Sequence, residues 1–172
     1  MKRCKSCREQ FTPFNSLQKY CLKDECVKVF VAELKEKEWK KRKAKAKAEM
    51  LTVQDYVKMA QQVFNAYINK RDSGKPCISC GKKITGRVNA SHYYNANNHW
   101  NVRFDENNVH SSCITCNQYL SGNLIEYGVR LEKLIGPDEF AILRDDAYKL
   151  RKFSIDELKG IIAEYKRKLK EM

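Results

Sequence analysis

Two C-x-x-C pairs, Cys77/Cys80 and Cys113/Cys116, enclose His92, and Asn117 directly follows the last sulfur. Zinc takes four thiolate or imidazole ligands in a tetrahedron, and each C-x-x-C turn hands over two sulfurs. The other four cysteines, Cys4, Cys7, Cys21 and Cys26, form a second set whose last two members are separated by four residues. Thirteen residues separate the pairs of this N-terminal set and thirty-two those of the other, both outside the commonest finger spacings, so the paired knuckles carry the assignment. All eight cysteines are thereby used, and none is left as a lone nucleophile. Disulfides are the competing reading. The chain opens Met1-Lys2-Arg3-Cys4 without an apolar signal segment, which favours a reducing cytoplasm and two structural Zn2+ ions.

A zinc held by four thiolates has no open position and cannot itself activate water. A reaction at this frame needs a separate base. His92, fifteen residues after Cys77, offers an imidazole whose ordinary pKa of about 6.5 lets it accept a proton from water at neutral pH. Asn117 offers a carboxamide oxygen to a hard cation, Mg2+ or Mn2+, which would relieve charge on a phosphate and its leaving oxygen. Each residue taken singly has a blander explanation: His92 as a satisfied, partly buried histidine, Asn117 as a turn or cap residue, His99 as a surface side chain or phosphate contact. Tyr93, Tyr94 and Trp100 have the shape to stack on unpaired bases, and equally to pack against the knuckles.

The elements that must position these groups read as an α+β chain in three parts. Residues 1 to 26 form a zinc ribbon or knuckle, with Phe11, Phe14 and Leu17 available to pack around a metal that supplies most of the stability. Residues 27 to 50, rich in Ala, Lys and Glu, form a long basic helical connector whose centre, residues 40 to 47, is basic at six of eight positions. Lys40, Lys41, Arg42 and Lys43 are the expected phosphate-tracking cations, against the alternative of a solvated linker. Residues 51 to 172 hold the second knuckle pair and the C-terminal helices. Within them Thr52 starts a helix running to Lys70, Asp72 to Pro76 is a turn, residues 87 to 94 and 101 to 104 are two short strands, and a helix follows Cys113 to complete a β-β-α unit. Leu124 to Ile135 is a helix ended by Gly136, Pro137 starts another, and Ser154-Ile-Asp-Glu157 caps a last one.

A formal net charge of +13 over 172 residues makes a polyanion the natural partner, and nucleic acid the leading one. No window is long and apolar enough to cross a bilayer, and the most basic segment lacks the apolar face of a membrane-surface helix.

His92, Asn108 five residues before Cys113, and Asn117 resemble the His-Asn-His or His-Asn-Asn signature of the HNH (ββα-metal) endonucleases, in the variety clamped by four cysteines. The wider pattern, Ala90-Ser-His-Tyr93, Arg103-Phe104, Asn108-Val-His110-Ser-Ser-Cys113, Cys116-Asn117 and Ser121-Gly-Asn123, resembles the phage lambda NinG/Rap recombination endonuclease family. The match is strongest over residues 77 to 127, and the N-terminal cysteines and basic helix suit the same layout. The resemblance implies a zinc-clamped HNH-like unit surrounded by helices, a hydrolase acting with Mg2+ or Mn2+ on branched DNA such as Holliday junctions and displacement loops, and a place in the cytoplasm of the host cell. It implies His92 as the general base, Asn108 as a brace for its loop, Asn117 as cation ligand and Arg103 as a DNA contact. In resolvases of the endonuclease VII type an aspartate before the catalytic histidine is a second metal ligand; Ser91 stands there in this chain. The cation's further ligand is then sought in His110, Asp105 or phosphate oxygens, with His110 the first choice. Further partners to expect are a second copy of the chain and recombination proteins. The alternative function is a non-catalytic, zinc-stabilised nucleic-acid-binding or recombination adaptor protein.

Overall fold

Backbone turns, with little help from an apolar core, fold the N-terminal cysteines. Strands β1 (Lys2–Arg3) and β2 (Gln10–Phe11) pair antiparallel, Lys2 opposite Phe11, and the reversal between them carries Cys4 and Cys7. Arg8, in the left-handed region at φ 65°, closes that reversal by donating its N–H to the Cys4 carbonyl. The buried centre consists of Cys4, Tyr20, Cys21 and Cys26, with Phe11 against them. Phe14 and Leu17 do not join it: each is 82% exposed, because four sulfurs and two aromatic rings already fill the space around the metal position. Helix α1 (Asp24–Glu49) begins within this cluster at Cys26 and then runs out into a charged helix. Its first half is tied back by Tyr20 against Phe30 and by Lys5 to Glu33.

This computed structural model describes residues 1–172 apart from the side chains of residues 47 and 48, so Lys47 of the basic run lies outside the described residues. The chain divides into two units, Met1–Leu51 and Thr52–Met172.

In the second unit α2 (Val53–Arg71) starts where its capping residues dictate: Thr52 Oγ1 accepts from the Asp55 N–H while the Asp55 carboxylate accepts from the Thr52 N–H. Its apolar stripe, Val57, Ala60, Phe64 and Ile68, is buried. Strands β3 (Val88–His92) and β4 (Val109–Cys113) form an antiparallel ladder with Val88 opposite Cys113, Ser91 opposite His110 and His92 opposite Val109. The partner of the first strand is therefore 109 to 113 and not 101 to 104, where Trp100–Val102 makes a single 3-10 turn. Val102 and Phe104 alternate as a strand would, but both are drawn into the core from a loop. After Cys113 comes a five-residue π-helical turn, Thr115–Tyr119, in place of a regular helix.

Helices α3 (Leu124–Ile135), α4 (Pro137–Ala147) and α5 (Ile155–Glu171) complete the unit. Gly136, at φ 89°, ends α3, Pro137 opens α4, and Ser154 with Glu157 forms a capping box on α5. Phe64 of α2 meets Tyr165 of α5 edge-on at 4.8 Å, over Ile68 and Val109. Tyr127 and Leu131 of α3 pack with Leu143 and Ala147 of α4 and with Val102. The result is a mixed α+β fold in which helices bury a two-stranded ladder. No helix among the described residues is long and apolar enough to cross a membrane.

Candidate functional site

Each cysteine set forms a nest of four reduced sulfurs whose Sγ atoms all lie within 4.8 Å of one another. Cys7 and Cys21 stand 3.8 Å apart, Cys80 and Cys113 4.0 Å. A tetrahedral zinc with bonds of about 2.3 Å sets its sulfurs about 3.8 Å apart, so both nests fit that ion and neither has disulfide geometry. The electrostatics point the same way. Burial alone would raise the Cys77 thiol, yet the N–H groups of Cys80, Cys113 and Ser79 outweigh it and bring it down to about 7. At Cys4 the N–H groups of Cys21, Cys7 and Ser6 overcome burial in the same way, to about 6. Burial and neighbouring sulfurs push Cys26 up to about 12, and Cys116 is likewise pushed up. One thiolate forms readily in each nest while the last is opposed, and a dication reverses that opposition. Cys4, Cys7, Cys21 and Cys26, and Cys77, Cys80, Cys113 and Cys116, can each hold a structural zinc.

A cavity of about 350 Å3 has Ser91, His92, Asn95, Asn97, Asn117 and Ser121 among its walls, and Asn117 directly follows Cys116 of the second nest. His92 is brought there as the last residue of β3, and Asn117 by the π-helical turn Thr115–Tyr119 that also carries Cys116 and closes with the Leu120 N–H on the Thr115 carbonyl at 3.0 Å. The Ser79 hydroxyl, fully buried, donates to the Gly122 carbonyl at 2.8 Å and ties the first knuckle to the segment behind Asn117. His92 Nε2 lies 3.0 Å from the Arg103 carbonyl. A carbonyl only accepts, so Nε2 carries the proton and Nδ1 is left with its lone pair. Burial pushes the imidazole down to about 4; the bond to the Arg103 carbonyl opposes this and the Arg103 charge adds to it.

Asn108 is wholly buried, its carboxamide oxygen accepting from the Tyr94 N–H at 2.8 Å while Nδ2 donates to the Tyr94 and Val102 carbonyls. It pins both ends of the loop that begins just after His92. Tyr127, also wholly buried, donates to the Ser91 carbonyl at 2.9 Å, and Gly128 beside it lets the Tyr93 ring approach so closely that a Cβ would stand 2.8 Å from its hydroxyl.

A family described as Bacteriophage Lambda NinG protein matches residues 1–172. The chain belongs to the NinG family. It is similar to Protein ninG of Salmonella phage P22, 36% identical over 191 aligned residues that cover 99% of this chain and 93% of that protein. Similarity to Protein ninG of Escherichia phage lambda is 35% over 191 residues, and to that of Escherichia phage 933W 33% over 188 residues, each with the same coverage. No solved structure matches.

Not every residue singled out from sequence reaches the cavity of this NinG-family chain. His110 does not: it faces a different cavity beside Asp72 and Lys75, with its Nδ1 3.4 Å from the Tyr127 hydroxyl, and burial pushes it down to about 4. The ladder explains this, since adjacent residues of a strand point to opposite faces and His110 pairs with Ser91, not with His92. Arg103 is committed inward, Nε donating to Gln61 Oε1 and Nη1 to the Ala96 carbonyl, each at 3.0 Å, with the guanidinium over Trp100. It clamps the loop instead of standing free for DNA. His99 is no surface residue; its Nδ1 meets the Ala147 carbonyl at 2.8 Å between Tyr94 and Tyr148. On α1, Lys40 pairs with Glu36 and Lys43 lies over the Trp39 ring, while Lys41 and Arg42 have no acidic partner within 4.0 Å among the described residues.

Sequence reasoning missed Asn95 and Asn97 as cavity walls, although the density of asparagines from 95 to 101 was a signal. Asp72 does stand in the turn expected at 72 to 76, but its role as a buried ion-pair partner was not foreseen. Asp72 is buried, receives Arg71 through two nitrogens at 2.9 Å, Lys75 at 2.9 Å and the Ser111 N–H at 3.0 Å, and so fastens α2 to β4. Burial opposes its ionisation, and these partners still hold it down to about 2.

Proposed function

We propose that this NinG-family chain is a metal-dependent endonuclease of the HNH type that cuts branched DNA by attack of water on a phosphodiester, within the cytoplasm of the phage's host. The observation that supports the reading is that His92 and Asn117, twenty-five residues apart in sequence, line one cavity, with Asn117 next to Cys116 of a four-sulfur nest. The antiparallel β3–β4 ladder followed by the helical turn Thr115–Tyr119 supports the reading. His92, neutral and with Nδ1 unprotonated, is equipped to take a proton from water. Asn108 acts as a positioning residue by holding the loop that presents the Arg103 carbonyl to His92.

A divalent cation would supply charge stabilisation at the phosphate and at the leaving oxygen. Asn117, with the carboxamide oxygens of Asn95 and Asn97, is the donor set for it; among the described residues no carboxylate lines this cavity. Mg2+ keeps several waters and accepts few protein ligands alongside phosphate oxygens, so this set fits a cation whose charge is met by the DNA. The same lack of a carboxylate favours a second reading, a zinc-stabilised DNA-binding adaptor without catalysis.

A nicking assay on a four-way junction with Mg2+ or Mn2+ separates the two. Under the nuclease reading, wild type cuts and His92→Ala loses at least about a hundredfold in rate with its zinc retained. Unchanged cutting by the variant removes His92 from the mechanism, and absence of cutting by pure wild type leaves the adaptor.

A further inference from the structure

Among the described residues, no lysine or arginine lines the His92 and Asn117 cavity. A polyanion drawn to that cavity must be gripped by cations elsewhere. The second unit has a separate cavity of about 400 Å3, sharing no wall residue with the first, whose walls include Ile78, Arg130, Lys133 and Leu134, with Asp72 already neutralised by Arg71 and Lys75 at one side. The two border one ladder, because Ser91 in the wall of the first pairs with His110 in the wall of the second. Arg130 lies directly on the backbone of the first knuckle turn: a Cβ at Gly81, itself at φ 71°, would stand 2.6 Å from Arg130 Nη1. Neither Arg130 nor Lys133 has a carboxylate within 4.0 Å among the described residues, and the same holds for Lys82, Lys83 and Arg87 along the knuckle. A zinc bound by four thiolates carries two net negative charges, which two such cations offset; the remainder are in excess. Cations over an apolar floor of Ile78 and Leu134 suit a sugar–phosphate backbone, whose charge faces the rim while its sugars rest on the floor.

We propose that this cavity is a second phosphodiester-binding site, taking the backbone of a further arm when the first cavity holds the strand to be cut. The proposal rests on the DNA-cutting reading for the identity of its ligand, and it gives that reading a source of branch preference: a junction offers two backbones close together where a lone duplex end offers one. Arg130 and Lys133 are the principal contacts.

The test uses the full zinc-loaded chain without Mg2+, and fluorescence anisotropy on a four-way junction and on a linear duplex over a salt series. Arg130→Gln/Lys133→Gln is compared with Lys166→Gln/Lys170→Gln, which removes the same charge from α5. The site variant should flatten the log–log salt slope on the junction by about two and lose more affinity for the junction than for the duplex, while the control loses clearly less. Lys133→Gln alone, at an exposed position, should flatten it by about one, which guards against a double variant that misfolds. Equal losses for both double variants, or equal losses on both DNAs, overturn the second site. Normal cutting by an Arg130→Gln/Lys133→Gln chain with wild-type binding would sink this proposal alone, whereas junction binding that depends on these residues without any cutting by wild type would sink only the nuclease.

Discussion

His92 owes its tautomer and its neutral state to one carbonyl and to burial. The Arg103 carbonyl fixes the tautomer, and the surrounding protein withholds the proton that would otherwise arrive below neutrality. An imidazole serves as base only while neutral, and here the neutral form persists down to about pH 4 in place of the ordinary 6.5. If the chain cuts junctions as proposed, the acid limb of kcat/KM should lie well below pH 6.5 in samples that retain their zinc; a limb centred at 6.5 would mean a solvated imidazole and a different geometry. Asp72 is the complementary case, a buried carboxylate held ionised by Arg71, Lys75 and the Ser111 N–H. Asp72→Asn takes from the Arg71 guanidinium, only 19% exposed, its two-nitrogen carboxylate partner and leaves it Glu106 at 3.8 Å. Urea unfolding of the zinc-loaded variant should show a loss of about 3 kcal/mol, and a loss under about 1 kcal/mol would mean that the pair contributes little beyond its desolvation cost.

The elements depend on the sulfurs to different degrees. Helices α2 and α5 carry their own capping boxes and bury aromatic and aliphatic stripes against each other, so they hold together without a metal. Strand β4 and the π-helical turn have no such support: β4 reads Val-His-Ser-Ser-Cys, and the turn sits between Cys113 and the Ser79–Gly122 hydrogen bond. The N-terminal unit has hardly any core beyond its cysteines. A strong chelator should release two zinc ions per chain, abolish the fold of the first unit and loosen β4 while helical signal from the second unit largely survives. Native mass spectrometry gives the count and far-ultraviolet circular dichroism the structure; zinc release with the full spectrum unchanged would contradict the dependence. At α5, Ser154→Ala removes the hydroxyl that accepts from the Glu157 N–H and should cost about 1 kcal/mol in the same unfolding measurement.

Taken whole, the molecule carries a charge of +13 that its ion pairs leave largely free. On α1 the cations face solvent along a helix whose apolar side chains are themselves half exposed, which suits a phosphate-tracking arm. Replacing Lys40, Lys41, Arg42 and Lys43 with Gln should flatten the salt dependence of DNA binding by about three to four in log–log slope. The single-turnover rate at saturating DNA should stay nearly unchanged; a large fall in that rate would mean that the arm shapes the catalytic cavity. The helices and both zinc nests were legible because caps, breakers and C-x-x-C turns are local signals, read correctly at Thr52, Gly136, Pro137 and Ser154. The second strand was not. Burial of Val102 and Phe104 imitates strand alternation, whereas the real strand is polar and becomes buried only through its neighbours.

By itself the sequence determined which atoms gather around each metal position and where most helices begin and end, because a thiolate quartet and a capping box are set within a few residues of their partners. Tertiary structure alone decided which face of the β3–β4 ladder each side chain occupies. That choice puts His92 beside Asn117, sends His110 to the opposite cavity with Asp72, and turns Arg103 inward, since a single-residue step along a strand reverses direction and no local signal records the register.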